Sequence, residues 1–300
     1  MQIDISDFKP LTLEDRDQVR PLLKAFNPQT SELTFVNLYL WRRYYQFTWS
    51  IFGDMLVILA SRDGHTYALP PVGTIPRLDV VKRVLVWMGE QYGADHPLIA
   101  RADQKLVDEI GDNPDFVVTS TRDHFDYVYS SEDLGTLAGR KYSKKRNHIN
   151  QFLRSYEYTY AEVTEDLVPG CLALAEVWCE QRLCEEDISL THELCGIRDA
   201  LDNLKTLEIQ GGAIVIDGKI QAFALGEILN HNTAVVHIEK ANPEYQGIYP
   251  MMTREFSANR WMGKLPYINR EQDIGEPGLR RAKKSYYPDH MVKKYEIRLA

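Results

Sequence analysis

Residues 212–229 read GAIVIDGKIQAFALGEIL, and how they fold decides the architecture. Ala213 to Ile216 and Ile220 to Leu225 are apolar runs too short for helices. Asp217-Gly218 between them is the kind of pair a two-residue hairpin turn selects, because both residues tolerate positive φ. Working outward, TAVVHIEKAN (233–242) is a third strand and IYPMMTREFSANRW (248–261) carries helical spacing. KLPYINRE (264–271) is a further strand, PGLRRAKKSYY (277–287) a helix with Pro277 at a favourable first position, and VKKYEIRLA (292–300) a last strand. The order is hairpin, third strand, helix, strand, helix, strand.

The first part of the chain has the same order. Thr12 followed by Asp15 has the spacing of a capping box opening an amphipathic helix in LTLEDRDQVRPLLKAF (11–26). A second helix is expected in ELTFVNLYLWRRYY (32–45). QFTWSIFG and DMLVILASRDG then meet at Gly53-Asp54, HTYALPP follows, and a helix in RLDVVKRVLVWMGEQYG (77–93) leads to the strand HPLIARA. A basic helix over 139–156, the strand YTYAEV (158–163) and two helices, in 167–183 and near 190–204, precede the hairpin of the second part. A duplicated mixed-sheet α/β unit is expected, with domains at 1–130 and 131–300.

At 300 residues the chain is long enough for two domains, and 44% hydrophobic content is that of a folded globular protein. No apolar run approaches the ~20 residues that span a bilayer, and MQIDISDFKP has no signal-peptide pattern, so the expected location is the cytoplasm. Cys171, Cys179, Cys184 and Cys195 match no zinc spacing and are expected as reduced structural thiols; no metal site is expected. A net charge of −8 argues against a surface that coats nucleic acid. The positive charge is clustered, however. GRKYSKKRNHINQFLR (139–154) holds Arg140, Lys141, Lys144, Lys145, Arg146 and Arg154 without an acid, and a second cluster runs from Arg280 to Lys284 with Lys293 and Lys294.

The element order resembles the GNAT acyltransferase superfamily in tandem. GRKYSKKRNHINQF, GEIL, VVHIEKAN and above all YINREQDIGEPGLRRAKKSYYP (267–288) resemble the bacterial family of the C-terminal catalytic domain of phosphatidylglycerol lysyltransferase. The resemblance implies tandem GNAT-like acyltransferase domains, a fold shared with Fem-type aminoacyltransferases. It also implies transfer of an amino acid from aminoacyl-tRNA to an amine or hydroxyl acceptor, whether small molecule, peptide or lipid headgroup. A transmembrane part of the lysyltransferase kind is lacking, so acceptors other than a lipid stay open.

The GNAT pattern Q/R-x-x-G-x-G/A presents bare backbone N–H groups to the coenzyme A pyrophosphate at a helix N-terminus. Aligning Gly247 to its first glycine puts Glu244 at the Q/R position and Tyr249 at the second glycine, and Pro250 removes an N–H. A coenzyme A thioester donor is therefore ranked below aminoacyl-tRNA. In the basic helix, Lys144, Lys145 and Arg146 offer charges for phosphates, and Asn147 and Asn150 offer amides for bases or sugars; the alternative is a solvated amphipathic helix. His237 and Glu239 alternate along one strand and are expected on one face, near Glu227, as bases for the acceptor proton; the alternative is a buried polar cluster. Tyr267, Asn269 and Glu271 share a strand face that ends beside the helix start at Pro277.

On that helix Leu279, Ala282 and Tyr286 form the expected buried stripe. Lys283 lies at its boundary and is the candidate to stabilise an oxyanion, with Arg280 for phosphate. The catalytic candidates are thus Glu239, Lys283, Glu271 and His237. The binding candidates are Lys144, Lys145, Arg146, Asn147, Asn150, Asn269, Arg280 and Tyr249. The rivals are a coenzyme A-dependent N-acyltransferase and a non-catalytic module that binds tRNA or a small anion.

Overall fold

The structure is a computed structural model that describes residues 7–74, 76–93, 97–182 and 187–300. Two compact units emerge, one built from Met1–Asp126, Gln272–Gly275 and Val292–Ala300 and the other from Tyr127–Glu271 and Glu276–Met291. Each carries a seven-stranded mixed sheet.

In chain order the first unit contains β1 (Lys9–Pro10), α1 (Arg16–Phe26), α2 (Phe35–Tyr45), β2 (Thr48–Phe52), β3 (Met55–Arg62) and β4 (His65–Ala68). It continues through α3 (Leu78–Tyr92), β5 (Ile99–Ala102), α4 (Gln104–Ile110) and β6 (Phe116–Ser120). Thr34 caps α2 by accepting from Asn37 N at 3.1 Å, one of the orphan donors of a first turn. The α3 stripe Val81, Val84, Leu85 and Met88, at helical spacing, packs on Val57, Leu59 and Ile99.

The second unit contains β7 (Asp126–Ser130), α5 (Ser131–Thr136), α6 (Ser143–Ser155), β8 (Thr159–Glu162), α7 (Val168–Gln181), α8 (Ile188–Asp202) and α9 (Leu204–Leu207). The hairpin strands are β9 (Gln210–Ile216) and β10 (Lys219–Asn230), followed by β11 (Thr233–Ala241), α10 (Ile248–Phe256), β12 (Tyr267–Asn269), α11 (Pro277–Lys284) and β13 (His290–Val292). Asp217 and Gly218 have φ of 50° and 73°, the two positive values that a turn matching strand twist requires. One sheet face buries Ala222, Ala224, Ala234 and Val236 against Ile149, Phe152, Met251 and Phe256 of α6 and α10. The last strand, β14 (Tyr295–Leu299), returns to the first sheet.

The strand orders are β1-β2-β3-β4-β5-β14-β6 and β8-β9-β10-β11-β12-β7-β13, the second read from its β8 edge. They match place for place: three antiparallel strands, a parallel pair joined through a helix (β4 with β5, β11 with β12), then two more. This is the tandem GNAT-like α/β architecture expected from the element order. In each sheet the sixth place is filled from the other part of the chain, β14 in the first and β7 in the second. The strand at 292–300, expected within a domain 131–300, therefore lies elsewhere. β14 pairs antiparallel with both β5 and β6, and Ile297 enters the first core. Burying that one side chain contributes roughly 1.5–3 kcal/mol, with the ladder bonds in addition.

Two further expectations are corrected. Helix α11 buries none of its residues, and Leu279 is 40% exposed, so the expected Leu279, Ala282 and Tyr286 stripe reduces to Tyr286, beyond the helix end. The thiol expectation fits Cys171 and Cys195, which are free; Cys179 is disulfide-bonded, and Cys184 lies outside the described residues.

Candidate functional site

Strand β11 pairs with β12 only over Thr233, Ala234 and Val235, opposite Tyr267, Ile268 and Asn269. Beyond that point β12 has ended and β11 runs on to Ala241, so the two parallel strands part in the middle of the sheet. Polar side chains gather where they part, on both faces.

A single extra residue sorts them. In the β10–β11 ladder Leu225 faces Ile238 and Gly226 faces Val236, which leaves His237 as the bulged residue. A Cβ on Gly226 would collide with the Val235 carbonyl, so the bulge needs glycine there. Directly opposed residues share a face. Glu239, opposite Ala224, therefore points to the α10 side, while Glu227, opposite Val235, points to the other. The expectation that His237 and Glu239 share a face fails for this reason, because strict alternation is broken between them.

On the α7 side His237 is buried between two carboxylates. Its Nδ1 lies 2.8 Å from Glu271 Oε1 and its Nε2 3.1 Å from Glu227 Oε1. Burial alone would lower the imidazole pKa. The hydrogen bonds and charges of Glu227 and Glu271 overcome this and push it up to about 9. His237 is thus an imidazolium at neutral pH, a clamp between β10 and the loop after β12. Glu271 sits there at φ 57° and its N–H donates to Asn269 Oδ1 at 2.8 Å. Lys283 reaches the same loop, where its ammonium donates to the Arg270 carbonyl and, at 3.2 Å, to that of Glu271.

On the α10 side five elements contribute to one cluster. Glu239 accepts from Thr253 Oγ1 of α10 at 3.1 Å and from Arg270 Nη2 at 3.0 Å. The Arg270 guanidinium lies 5.2 Å from the centre of the Tyr286 ring, and Lys145 Nζ of α6 lies 3.8 Å from it. Burial lowers the Lys145 pKa and the neighbouring Arg270 charge lowers it further; with Glu239 acting the other way it settles at about 8. Burial also pushes the Tyr286 phenol up to about 12, so it remains a neutral wall and donor. An ammonium that titrates near physiological pH, a fixed guanidinium and a carboxylate in one half-buried cluster can move protons and hold an anion.

Helix α6 is also what meets the N-terminus of α10. Gly247 has φ 85°, and a Cβ on it would run into the His148 carbonyl. Gln151 Nε2 donates to Gln246 Oε1 at 2.6 Å, and the Tyr156 and Tyr245 rings meet at 4.9 Å. Residues of α6 and its end thus pack against Tyr245, Gln246 and Gly247 of the turn aligned to the pyrophosphate-binding pattern.

Of the remaining sequence candidates, Lys144, Asn147 and Asn150 are exposed on α6. Arg146 folds back, and its Nη1 donates to the Leu137 and Gly139 carbonyls at 2.6 Å each. Tyr249 OH accepts from Trp178 Nε1 at 3.1 Å. Asn269 is buried in the β12 exit and Arg280 is half-buried on α11. The sequence pattern assigns no site role to Arg270 or Thr253, and it places Tyr286 only in a buried stripe. Arg270 was visible as the one cation in YINRE, but alternation placed it on the face away from Asn269. Among the described residues no group of three or more His, Cys, Asp or Glu side chains is placed to hold a metal ion. None of their helices is long and apolar enough to cross a membrane.

A conserved protein of unknown function from Bacteroides thetaiotaomicron VPI-5482 is 32% identical, with a TM-score of 0.89 over 98% of this chain and 99% of that one. L-PGS from Bacillus licheniformis shares the fold at 13% identity and a TM-score of 0.65, covering 95% of this chain and 91% of that one. An uncharacterized protein of Mycoplasmoides gallisepticum is 24% identical over 176 residues, 58% of this chain and 56% of the relative, so the match spans little more than half of that relative's length. The family model for the C-terminal part of phosphatidylglycerol lysyltransferase, whose description names a transferase, matches residues 23–298. The chain belongs to the phosphatidylglycerol lysyltransferase C-terminal family.

Proposed function

We propose that the second unit transfers an aminoacyl group from a charged tRNA to an amine or hydroxyl acceptor. The observation that carries this reading is the Glu239, Arg270, Tyr286 and Lys145 cluster at the point where β11 and β12 part. Open α/β sheets offer their sites at such a point. The packing of α6 on Gly247 favours this donor over a coenzyme A thioester, because the His148 carbonyl and Phe152 lie against the glycine to which a pyrophosphate would have to come close. Lys144 of the same helix, with Arg140 and Lys141 in the turn that leads into it, is exposed and offers charges for RNA phosphates.

The reaction is direct attack on the ester. The acceptor nitrogen or oxygen gives its proton to Glu239 and bonds to the ester carbonyl carbon, and Arg270 supports the negative charge that develops. As the bond from carbonyl carbon to ribose oxygen breaks, Lys145 donates its proton to the leaving oxygen. Proton transfers of this kind contribute ~10²–10⁴-fold each. His237, Glu227, Glu271 and Lys283 act one step away, fixing the loop that carries Arg270. The acceptor is a small molecule, a peptide amine or a lipid headgroup.

Incubation of the protein with a mixed pool of charged tRNAs and cell extract tests this. One ester should disappear faster than without protein, and its label should appear in an acceptor. Unchanged ester lifetimes, together with activity on an acyl-CoA, would establish the coenzyme A rival instead. RNA binding should also fall steeply with salt, by roughly 0.7–0.9 log units per log unit for each phosphate contacted.

A further inference from the structure

Tyr287 stands between Tyr286 and Pro288 with its backbone at φ 53°. For a bulky residue that conformation is an outlier, and before proline the chain is additionally biased toward extended geometry. The surroundings enforce it. Tyr287 N donates to the Lys284 carbonyl at 3.0 Å, and the fully buried Tyr142 donates its hydroxyl to the Tyr286 carbonyl at 2.9 Å.

This strained backbone delivers an aromatic ring to water. Tyr287 is 49% exposed, whereas Tyr129, Tyr142 and Tyr286 around it are buried. Glycine or asparagine would suit both the positive φ and the solvent better. What tyrosine adds is a flat face, and strain retained at an exposed position is a mark of function. One edge of the ring is steadied by Tyr142 at 5.6 Å and 84°, and Lys141 Nζ lies 6.0 Å from its centre. Exposed Lys144 belongs to the same helix as Lys145, whose ammonium covers the adjacent Tyr286 ring at 3.8 Å, and exposed Arg140 lies in the turn that leads into it.

We infer that Tyr287 is a stacking platform for an unpaired nucleobase at the ester-bearing end of an RNA, with Lys141, Lys144 and Arg140 meeting the flanking phosphates. This rests on the aminoacyl-tRNA reading of the same unit. Stacking suits the position because every base offers a π-face, and unpaired ends are what proteins read in RNA by aromatic contact. Tyr287 directly follows Tyr286, whose ring walls the Glu239, Arg270 and Lys145 cluster, and a base held on Tyr287 would leave the terminal ribose ester to reach toward that cluster.

The test compares two hairpin RNAs with the same stem, one with four unpaired 3′ nucleotides and one blunt, against wild type, Tyr287→Phe and Tyr287→Asn at one low salt concentration. Wild type and Tyr287→Phe should prefer the overhang. Tyr287→Asn should lose on the order of tenfold in affinity for the overhang and none for the blunt hairpin. Its thermal midpoint should stay level or rise, because asparagine relieves the backbone strain. Overhang binding that survives Tyr287→Asn overturns the platform and leaves the donor reading standing. Equal losses on both hairpins with a lowered midpoint would mark Tyr287 as merely structural, which also overturns it. Wild type that binds neither hairpin would overturn the platform and the donor reading together.

Discussion

The two sheets have the same strand order but opposite kinds of charged centre. In the first unit Lys294 is fully buried, with Asp126 Oδ1 and Glu32 Oε2 each at 2.6 Å. Arg101 stands 3.6 Å from Glu32, and burial holds Glu32 above the usual carboxylate range even against the Lys294 charge. In the second unit Arg270 is likewise tied to Glu239, but Lys145 rests on an aromatic face and titrates near pH 8. One lysine is neutralised by carboxylates on β7 and the loop before α2; the other keeps a proton that it can release. The architecture is shared, and the partners of one ammonium separate a centre closed by carboxylates from the one proposed as reactive.

The comparison is broken most severely by removing the exchanged strand. A chain ending after Val292 lacks Lys294 and all of β14, and the first sheet then loses the partner of both β5 and β6. Loss of the cooperative unfolding transition of that unit, followed by calorimetry, is expected; a truncated chain with two intact transitions would disprove the exchange.

Substituting the two lysines should give contrasting outcomes. Lys294→Met leaves Asp126 and Glu32 buried without their counter-charge and should cost about 3–5 kcal/mol in urea denaturation. Lys145→Met should cost less than ~1 kcal/mol while lowering transfer by ~10²-fold or more. Wild-type transfer should decline as pH rises through about 8, since Lys145 acts in its protonated form.

His237 sharpens the picture through pH. Its folded pKa of about 9 lies above the 6.5 of an unperturbed imidazole. The clamp's stabilisation is therefore complete below about pH 6.5 and is lost as pH rises through about 9. The shift corresponds to roughly 3 kcal/mol. The urea midpoint should fall across that window in wild type, and His237→Gln should flatten the slope. The smallest effect is expected at α11, where Leu279→Ser at a 40% exposed position should change stability by less than ~0.5 kcal/mol.

Much of this was legible locally. The Asp217-Gly218 turn, the apolar runs and the α3 stripe are nearest-neighbour signals, and they located the hairpins, helices and duplicated order. The strand exchange was not legible, because β14 pairs with residues roughly two hundred positions earlier and periodicity carries no such information. Residue type singled out Glu239 and Lys145, which the fold brings to one cluster, and neighbouring strands pointed to the contact of His237 with Glu227. Their sorting onto opposite faces was hidden, since one bulged residue inverts alternation. Helix α11 misled because Lys283, with bonds to backbone carbonyls, anchors it where an apolar stripe was expected.

The central claim, a reactive centre in the second unit, is tested most directly by single-turnover loss of the aminoacyl ester from charged tRNA, with wild type beside Glu239→Gln. Wild type should consume one ester and pass its label to an acceptor, and Glu239→Gln should slow this by ~10²-fold or more with unchanged RNA binding. Equal ester lifetimes with wild type, with the variant and with no protein would contradict it.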